Sequence, residues 1–244
     1  MSRGPASAAG HRRLGRKLQG AGYPCGEETR ARVIEAAIAL FGLRGLDGTA
    51  TRAIAERAGV ALPALQYYFT SKDGLYLACA EHIATRMGER MSPLASRIEG
   101  RLDAGNVSRK ELTALVHLLL DGFCDLILGP DVPEGWIPFI LREQASPAGP
   151  VFEVIRKQVM GRVMNLFTAL ILEASPAAPD QTRARMAVLA LVGHVLVFRT
   201  SRSVALHVLG CSGIDADCLS AIKADVCAHA DQVLFSLAEG RGNE

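Results

Sequence analysis

Between Thr51 and Lys72 the chain reads TRAIAERAGVALPALQYYFTSK, and this stretch limits the fold more tightly than any other. Ile54, Ala55 and Ala58 recur at helical spacing from Thr51, which predicts a short helix with one apolar face. Thr49 and Thr51 both stand where a hydroxyl can accept from the free amides of that helix's first turn. Gly59 follows its last residue, where the backbone needs φ > 0. Val60 plugs the turn, and Pro63 falls in the first turn of a second helix, where a missing N–H costs little. Leu65 and Phe69, four apart, point inward together and leave Gln66, Tyr67 and Tyr68 to the other faces. Two helices joined through a glycine turn within about twenty residues have the proportions of a helix-turn-helix.

Upstream, Val33, Ala36, Ala37, Leu40 and Phe41 form the stripe of an amphipathic helix. Glu28 or Thr29 opens it and GLRGLDG at 42–48 closes it. Three such helices make a small bundle over residues 27–74. Tyr67 and Tyr68, followed by Thr70, Ser71 and Lys72, offer hydroxyls and a cation to a phosphate backbone. The net charge of +2 says little, but its distribution is uneven: residues 1–72 hold 11 Lys/Arg against 5 Asp/Glu, and the remainder 16 against 20. A basic end on a mildly acidic body suits a head that meets DNA. Residues 1–26, with Arg3, Arg12, Arg13, Arg16 and Lys17 and no acid, read as a disordered basic leader, either an arm along the phosphates or an inert segment.

The helix-turn-helix stretch resembles the DNA-binding domain of the TetR family. Thr51, Ile54, Ala55, Ala58, Gly59, Val60, Leu65, Tyr68, Phe69, Lys72 and Leu75 carry the resemblance, and Phe41 matches the family's aromatic near the end of the first helix. Two positions depart from it: Ala61 stands where a capping Ser is common, and Gln66 where an aromatic is usual. The resemblance implies that Leu62, Pro63, Ala64 and Gln66 enter a major groove. Thr51, Arg52, Tyr67, Tyr68 and Lys72 are then expected on flanking phosphates, with Arg52 in reach of a base.

The body, residues 75–240, reads as helix throughout. A connector carrying Leu75, Leu77, Ala78, Ile83 and Met87 is expected to run to about Met91, with a loop or broken helix over 93–106. Further helices are expected over 110–128, from Trp136 to Gln144, over 151–173, over 181–203 and over 216–238. The 181–203 segment is apolar almost all round, so it must be covered on more than one side. A two-fold copy can supply the second cover, through Leu189, Gly193, Leu196, Leu219, Ile222, Val226 and Val233. The TetR resemblance implies the same dimer, and the bland alternative is an intramolecular core. The run LREQ with Ser146 and Pro147, together with LVFR at 196–199, resembles the CecR-like branch of the family over roughly residues 108–230.

No catalytic constellation, phosphate loop or dinucleotide fingerprint is present, so the chain reads as no enzyme and calls for no cofactor. Cys79 and His82, three apart, amount to half a metal site at most, and no metal is assigned. No apolar run approaches a membrane span, and the cytoplasm is the expected compartment. For a small-molecule effector, the candidate contacts are Trp136, Phe139, Arg142 and Glu143, with His117, Cys124 and Phe167 from neighbouring helices. The expectation is an all-α protein, a helix-turn-helix head on a larger ligand-binding and dimerisation domain. It would act as a homodimeric repressor that leaves a palindromic DNA operator when it binds a small hydrophobic molecule. An activator of the same fold, or an all-α binding protein or enzyme, are the alternatives.

Overall fold

A computed structural model of the chain describes residues 24–145, 149–175 and 180–239. No strand occurs among them. The first helix, α1 (Pro24–Arg44), starts four residues before Glu28, so the last three residues expected in the leader are helical; the rest of that leader lies outside the described residues. Helices α2 (Thr51–Ala58) and α3 (Leu62–Tyr68) follow, with Gly59 between them at φ 65°. Val33, Ile34, Ala37, Phe41, Ile54 and Leu65 form the buried centre of this head.

Thr49 does not cap α2. The cap position is Ala50, and the Thr49 hydroxyl is buried, donating to the carbonyls of Gly45 (2.8 Å) and Leu40 (3.2 Å). It ties the end of α1 to the start of α2. A side-chain cap comes two helices later: Ser71 accepts from the amide of Gly74 at 2.9 Å and opens α4 (Lys72–Asp103).

The connector therefore runs twelve residues past the end expected at Met91, straight through Pro93. A proline removes one backbone hydrogen bond and crowds the preceding turn, by about 3 kcal/mol or more in an isolated helix. Here Ala95 and Ile98, beyond the proline, are buried in the core. On the other side Arg162 clasps Ser92, Ser96 and Glu99. Tertiary packing outweighs the local penalty.

The body continues with α5 (Arg109–Leu128), capped by Ser108, and α6 (Trp136–Ala145). The long apolar helix expected over 151–173 is present as α7 (Gly149–Val154), a π-helical segment (Ile155–Gly161) and α8 (Arg162–Ala174). The helix expected over 181–203 ends at Thr200. It is α9 (Gln181–Thr200), followed after a 90° bend by α10 (Arg202–Leu209), which has no counterpart in the sequence reading. The last helix is α11 (Ala216–Glu239). α5 packs on α4, α8, α9 and α11, while α1 packs on α2, α4 and α6, so a single apolar core runs from head to body through α4 and α6. No single described helix is long and apolar enough to cross a membrane.

Candidate functional site

The second short helix is anchored from below and bare above. Leu65 and Phe69 are buried, while Pro63 and Gln66 are exposed and Tyr67 is 83% exposed. Leu62, Ala64, Tyr68 and Lys72 are half-buried at the edge of the same surface. Tyr67 and Tyr68 meet edge to face at 5.4 Å between centroids, so the inner ring props the outer one. Arg30 lies over the Phe69 ring at 5.3 Å and stiffens the seat of the helix from α1. On α2, Thr51 is half-buried and Arg52 exposed; Arg52 pairs with Glu56 one turn on, a solvent-facing contact weak enough to give way to a phosphate. The residues expected at DNA are thus exposed or half-buried on α2, α3 and the start of α4. The N-terminus of α3 has no side-chain cap, since Ala61 holds that place; Pro63 carries no N–H, and the Ala64 amide donates to the Ala61 carbonyl at 2.9 Å.

Head and body are joined by backbone contact. A Cβ on Gly135 would stand 2.7 Å from the Cα of Ala39, and one on Gly42 would stand 2.6 Å from the carbonyl oxygen of Gly135. Only glycine lets α1 lie so close to the turn before α6. Arg142 on α6 donates to the carbonyls of Leu43 (3.2 Å) and Gly42 (3.5 Å) at the end of α1, placing a cation at that helix's negative pole. The buried Tyr76 hydroxyl of α4 donates to Glu143 at 2.6 Å. Burial, helped by this carboxylate, pushes the Tyr76 pKa well up, so the hydroxyl stays a donor. His82 meets Glu35 of α1 at 2.9 Å, and that hydrogen bond holds the Glu35 carboxyl below the usual glutamate range against the opposing effect of burial.

The body contains a cavity of about 290 Å³. Ile137, Ile140, Leu141 and Gln144 of α6 form one wall, Phe123 and Ile127 of α5 another, and Val159 and Met160 of the π-helical segment a third. Leu189, Gly193 and Leu196 of α9 complete it. The wide π turns keep Ile155 in the core while Val159 and Met160 line the cavity. Gln144 is its polar group, donating weakly to the Met160 sulfur at 3.4 Å. A larger concavity, about 610 Å³, lies between α1, α2 and the turn before α6, but it is open and rimmed by Glu28, Arg32, Glu35 and Arg57. The inner cavity is the one suited to an apolar molecule.

None of the seven effector residues expected from sequence lines that cavity. Arg142 and Glu143 hold α1 and α4. Trp136, Phe139 and Phe167 are core, with Phe139 tilted against Tyr76 and Phe167 edge-on to Phe123. Cys124 is fully buried, its thiol pushed up to about 12 by burial, and His117 pairs with Asp231 at 2.8 Å. The sequence signal that pointed at the cavity was the apolar side of the same segment, Ile137, Ile140 and Leu141, one helical face away from the polar pair that drew attention. Cys79 and His82 diverge, the thiol toward the Ile34 carbonyl and the imidazole toward Glu35. No cluster of three metal-ligating side chains occurs among the described residues.

Of the residues expected at a dimer contact, Leu219, Ile222 and Val226 are buried within the subunit and have no surface to offer a partner. Leu189 and Gly193 are exposed, and Leu196 and Val233 half-buried. The exposed residues of α11 include Ala221, Ala224, Ala228 and Phe235, with Asp225, Asp231 and Gln232 among them.

Residues 33–79 match the family described as bacterial regulatory proteins, tetR family. Residues 109–241 match the C-terminal domain of the HTH-type transcriptional dual regulator CecR. The chain is 34% identical over 216 residues to the HTH-type transcriptional dual regulator CecR of Shigella flexneri, covering 88% of this chain and 95% of that protein. Among solved structures, a transcriptional regulator from Pseudomonas aeruginosa PAO1 aligns with a TM-score of 0.55 at 15% identity, covering 88% of this chain and 92% of that one. AibR in complex with isovaleryl coenzyme A and operator DNA aligns at 0.54 and 16% identity, covering 70% and 86%. The helix-turn-helix head, the helical body and these likenesses agree: the chain is a transcriptional regulator of the TetR family, with a C-terminal domain of the CecR type.

Proposed function

We propose that this regulator is a homodimeric repressor that holds a palindromic operator and releases it when a small apolar molecule fills the cavity of each subunit. The observation that carries the reading is the α3 surface: an outward Gln66–Tyr67 edge over a buried Leu65–Phe69 anchor. Leu62, Pro63, Ala64 and Gln66 face the bases, and Thr51, Arg52, Tyr67, Tyr68 and Lys72 hold the flanking phosphates. Two heads on one palindrome sit roughly 34 Å apart or a multiple of it. The protein works in the cytoplasm, with the chromosome.

Release runs through α6. Its Ile137, Ile140, Leu141 and Gln144 face the cavity, and its Arg142 and Glu143 grip α1 and α4. An effector that fits the cavity better in one α6 position shifts the population toward that position by its affinity difference between the two. The heads follow, because Gly135 and Gly42 leave no slack between α6 and α1. The Shigella flexneri relative is named a dual regulator, which favours a second reading in which the same protein activates at some promoters. AibR, with an acyl coenzyme A and operator DNA in one complex, supports a fold able to hold both ligands.

Selecting fragments from a genomic DNA pool on the full chain, then measuring affinity by fluorescence anisotropy, tests the reading. Enrichment of one palindrome bound by two chains is expected. Retention with no sequence preference by folded protein would overturn it.

A further inference from the structure

Cys211 follows the end of α10 and Cys218 lies in the first turn of α11, and local structure brings the two thiols together. Gly210, at φ 68°, turns the chain out of α10 so that the Cys211 amide donates to the Leu206 carbonyl at 2.9 Å. At the other end Asp215 accepts from the Cys218 amide at 2.9 Å and fixes the first turn of α11. The Cys218 thiol donates to the Cys211 sulfur, and the Cys211 thiol in turn donates to the Leu209 carbonyl at 3.7 Å. Among the described residues no other two thiols share a hydrogen bond. Cys211 is half-buried and within reach of a small solute, while Cys218 is buried. The helix between them and α9 is lightly held. Of its residues only Leu206 is buried, Val204 and Val208 are mostly exposed, and α10 packs chiefly on α9.

We propose that Cys211 and Cys218 are a redox pair, closed by hydrogen peroxide into a disulfide that pins α10 to α11 and reopened by a thiol reductant. Neither the DNA-binding surface nor the effector cavity uses these residues. Cys211, its proton given up to water, attacks one oxygen of the peroxide. The O–O bond breaks, the other oxygen takes up a proton and leaves as water, and Cys211 becomes a sulfenic acid. Cys218 then attacks that sulfur; the S–O bond breaks, and the Cys218 proton leaves with the departing hydroxide as a second water. Two thiols and one peroxide thus give one disulfide and two waters, with sulfur oxidised and peroxide oxygen reduced. Burial and the hydrogen bond to Cys211 push the Cys218 thiol up, which keeps it protonated until the second step. No third metal-ligating side chain joins the pair among the described residues, so dithiol chemistry suits it better than a zinc site. In a reducing cytoplasm the resting form is the dithiol, and the bond forms only under oxidant.

The full chain is treated with hydrogen peroxide, its remaining thiols are blocked with iodoacetamide, and it is cleaved at Asp215 and Asp217, which lie between the two cysteines. Mass spectrometry of the unreduced digest should show the Cys211 and Cys218 peptides joined, and dithiothreitol should part them. Hydrogen exchange on the same samples should show the α10 amides about tenfold slower in the oxidised form. Cys211→Ser and Cys218→Ser keep nearly the native side-chain size, and circular dichroism checks that they are folded. Neither variant should form the bond. In Cys218→Ser the oxidation should stop at a Cys211 sulfenic acid, captured by dimedone, with α10 exchange unchanged. Both thiols still open to iodoacetamide after peroxide overturn the pair. So does a wild type in which Cys211 goes on to sulfinic acid while Cys218 stays free, or one that joins only cysteines of different chains. A bond that forms within the chain while α10 exchanges as before overturns the pinning of that helix.

Discussion

At the scale of single residues, the head separates side chains that hold it together from side chains that meet DNA. Thr49 belongs to the first kind: its buried hydroxyl shares its one hydrogen between the carbonyls of Leu40 in α1 and Gly45 in the turn after it. Thr49→Val keeps the shape and removes the donor, and should cost roughly 1–3 kcal/mol, read as a lowered urea midpoint at unchanged slope. In the proposed reading Tyr67 belongs to the second. Because it is 83% exposed, Tyr67→Ala should leave the midpoint within about 0.5 kcal/mol of wild type while weakening operator binding. Lys72→Ala should weaken every DNA sequence alike and reduce the salt slope by about one, whereas changes at Gln66 should alter which sequence is preferred. Anisotropy titrations across operator variants at several salt concentrations separate the two; a Lys72→Ala variant with a new sequence preference and full affinity would reverse these roles. The position of Tyr67 on the outer face was readable from the Leu65–Phe69 spacing alone. The task of Thr49 was not, because its acceptors lie in the preceding helix and turn.

Between elements, α6 is the piece on which head and body turn. Its entry is set by contact between Gly135 and the α1 backbone, where a methyl group has nowhere to go. Gly135→Ala should push α1 away and destabilise the fold by about 1–3 kcal/mol, seen as a fall in Tm. Arg142→Ala should be gentler on stability, by about 1 kcal/mol, since it removes a charged hydrogen-bond donor from a partly exposed helix end. Its effect should fall on coupling: operator affinity stays near wild type, while more ligand is needed to release the DNA. Equal sensitivity of release in variant and wild type would take Arg142 out of the linkage. Sequence reasoning found this helix and its polar cluster, but assigned Arg142 and Glu143 to the ligand. A charged pair beside aromatics reads the same whether it faces a cavity or a neighbouring helix. Only the rotation of α6 about its axis, imposed by the glycine contact, sends that face toward α1 and α4.

For the molecule as a whole, α9 is where subunit stability and assembly pull in opposite directions. Gly193 interrupts a helix interior, and within one subunit nothing opposes a side chain there. Gly193→Ala should therefore stabilise the isolated subunit by about 0.5–1 kcal/mol through helix propensity. If Gly193 lies at the contact of the proposed dimer, the same methyl crowds that contact and should raise the dissociation constant. Sedimentation equilibrium of the variant and the wild type, set beside the thermal stability of each, measures both; tighter dimerisation on adding the methyl would place Gly193 outside the contact.

The order of elements, the helix-turn-helix and the amphipathic character of the body were written locally, in spacings of three and four residues and in Gly and Pro at element ends. Gly59 at φ 65° depends on a few neighbours along the chain, and such a feature is one a linear reading reaches. What tertiary structure decided is different in kind. The connector passes through Pro93 because Ala95 and Ile98 are buried against distant helices; α9 turns by 90° into α10; and the cavity lies on the apolar side of α6 while its polar side braces the head. Each outcome depends on which helix faces which, a balance of packing energies between segments tens of residues apart, and no local pattern contains it.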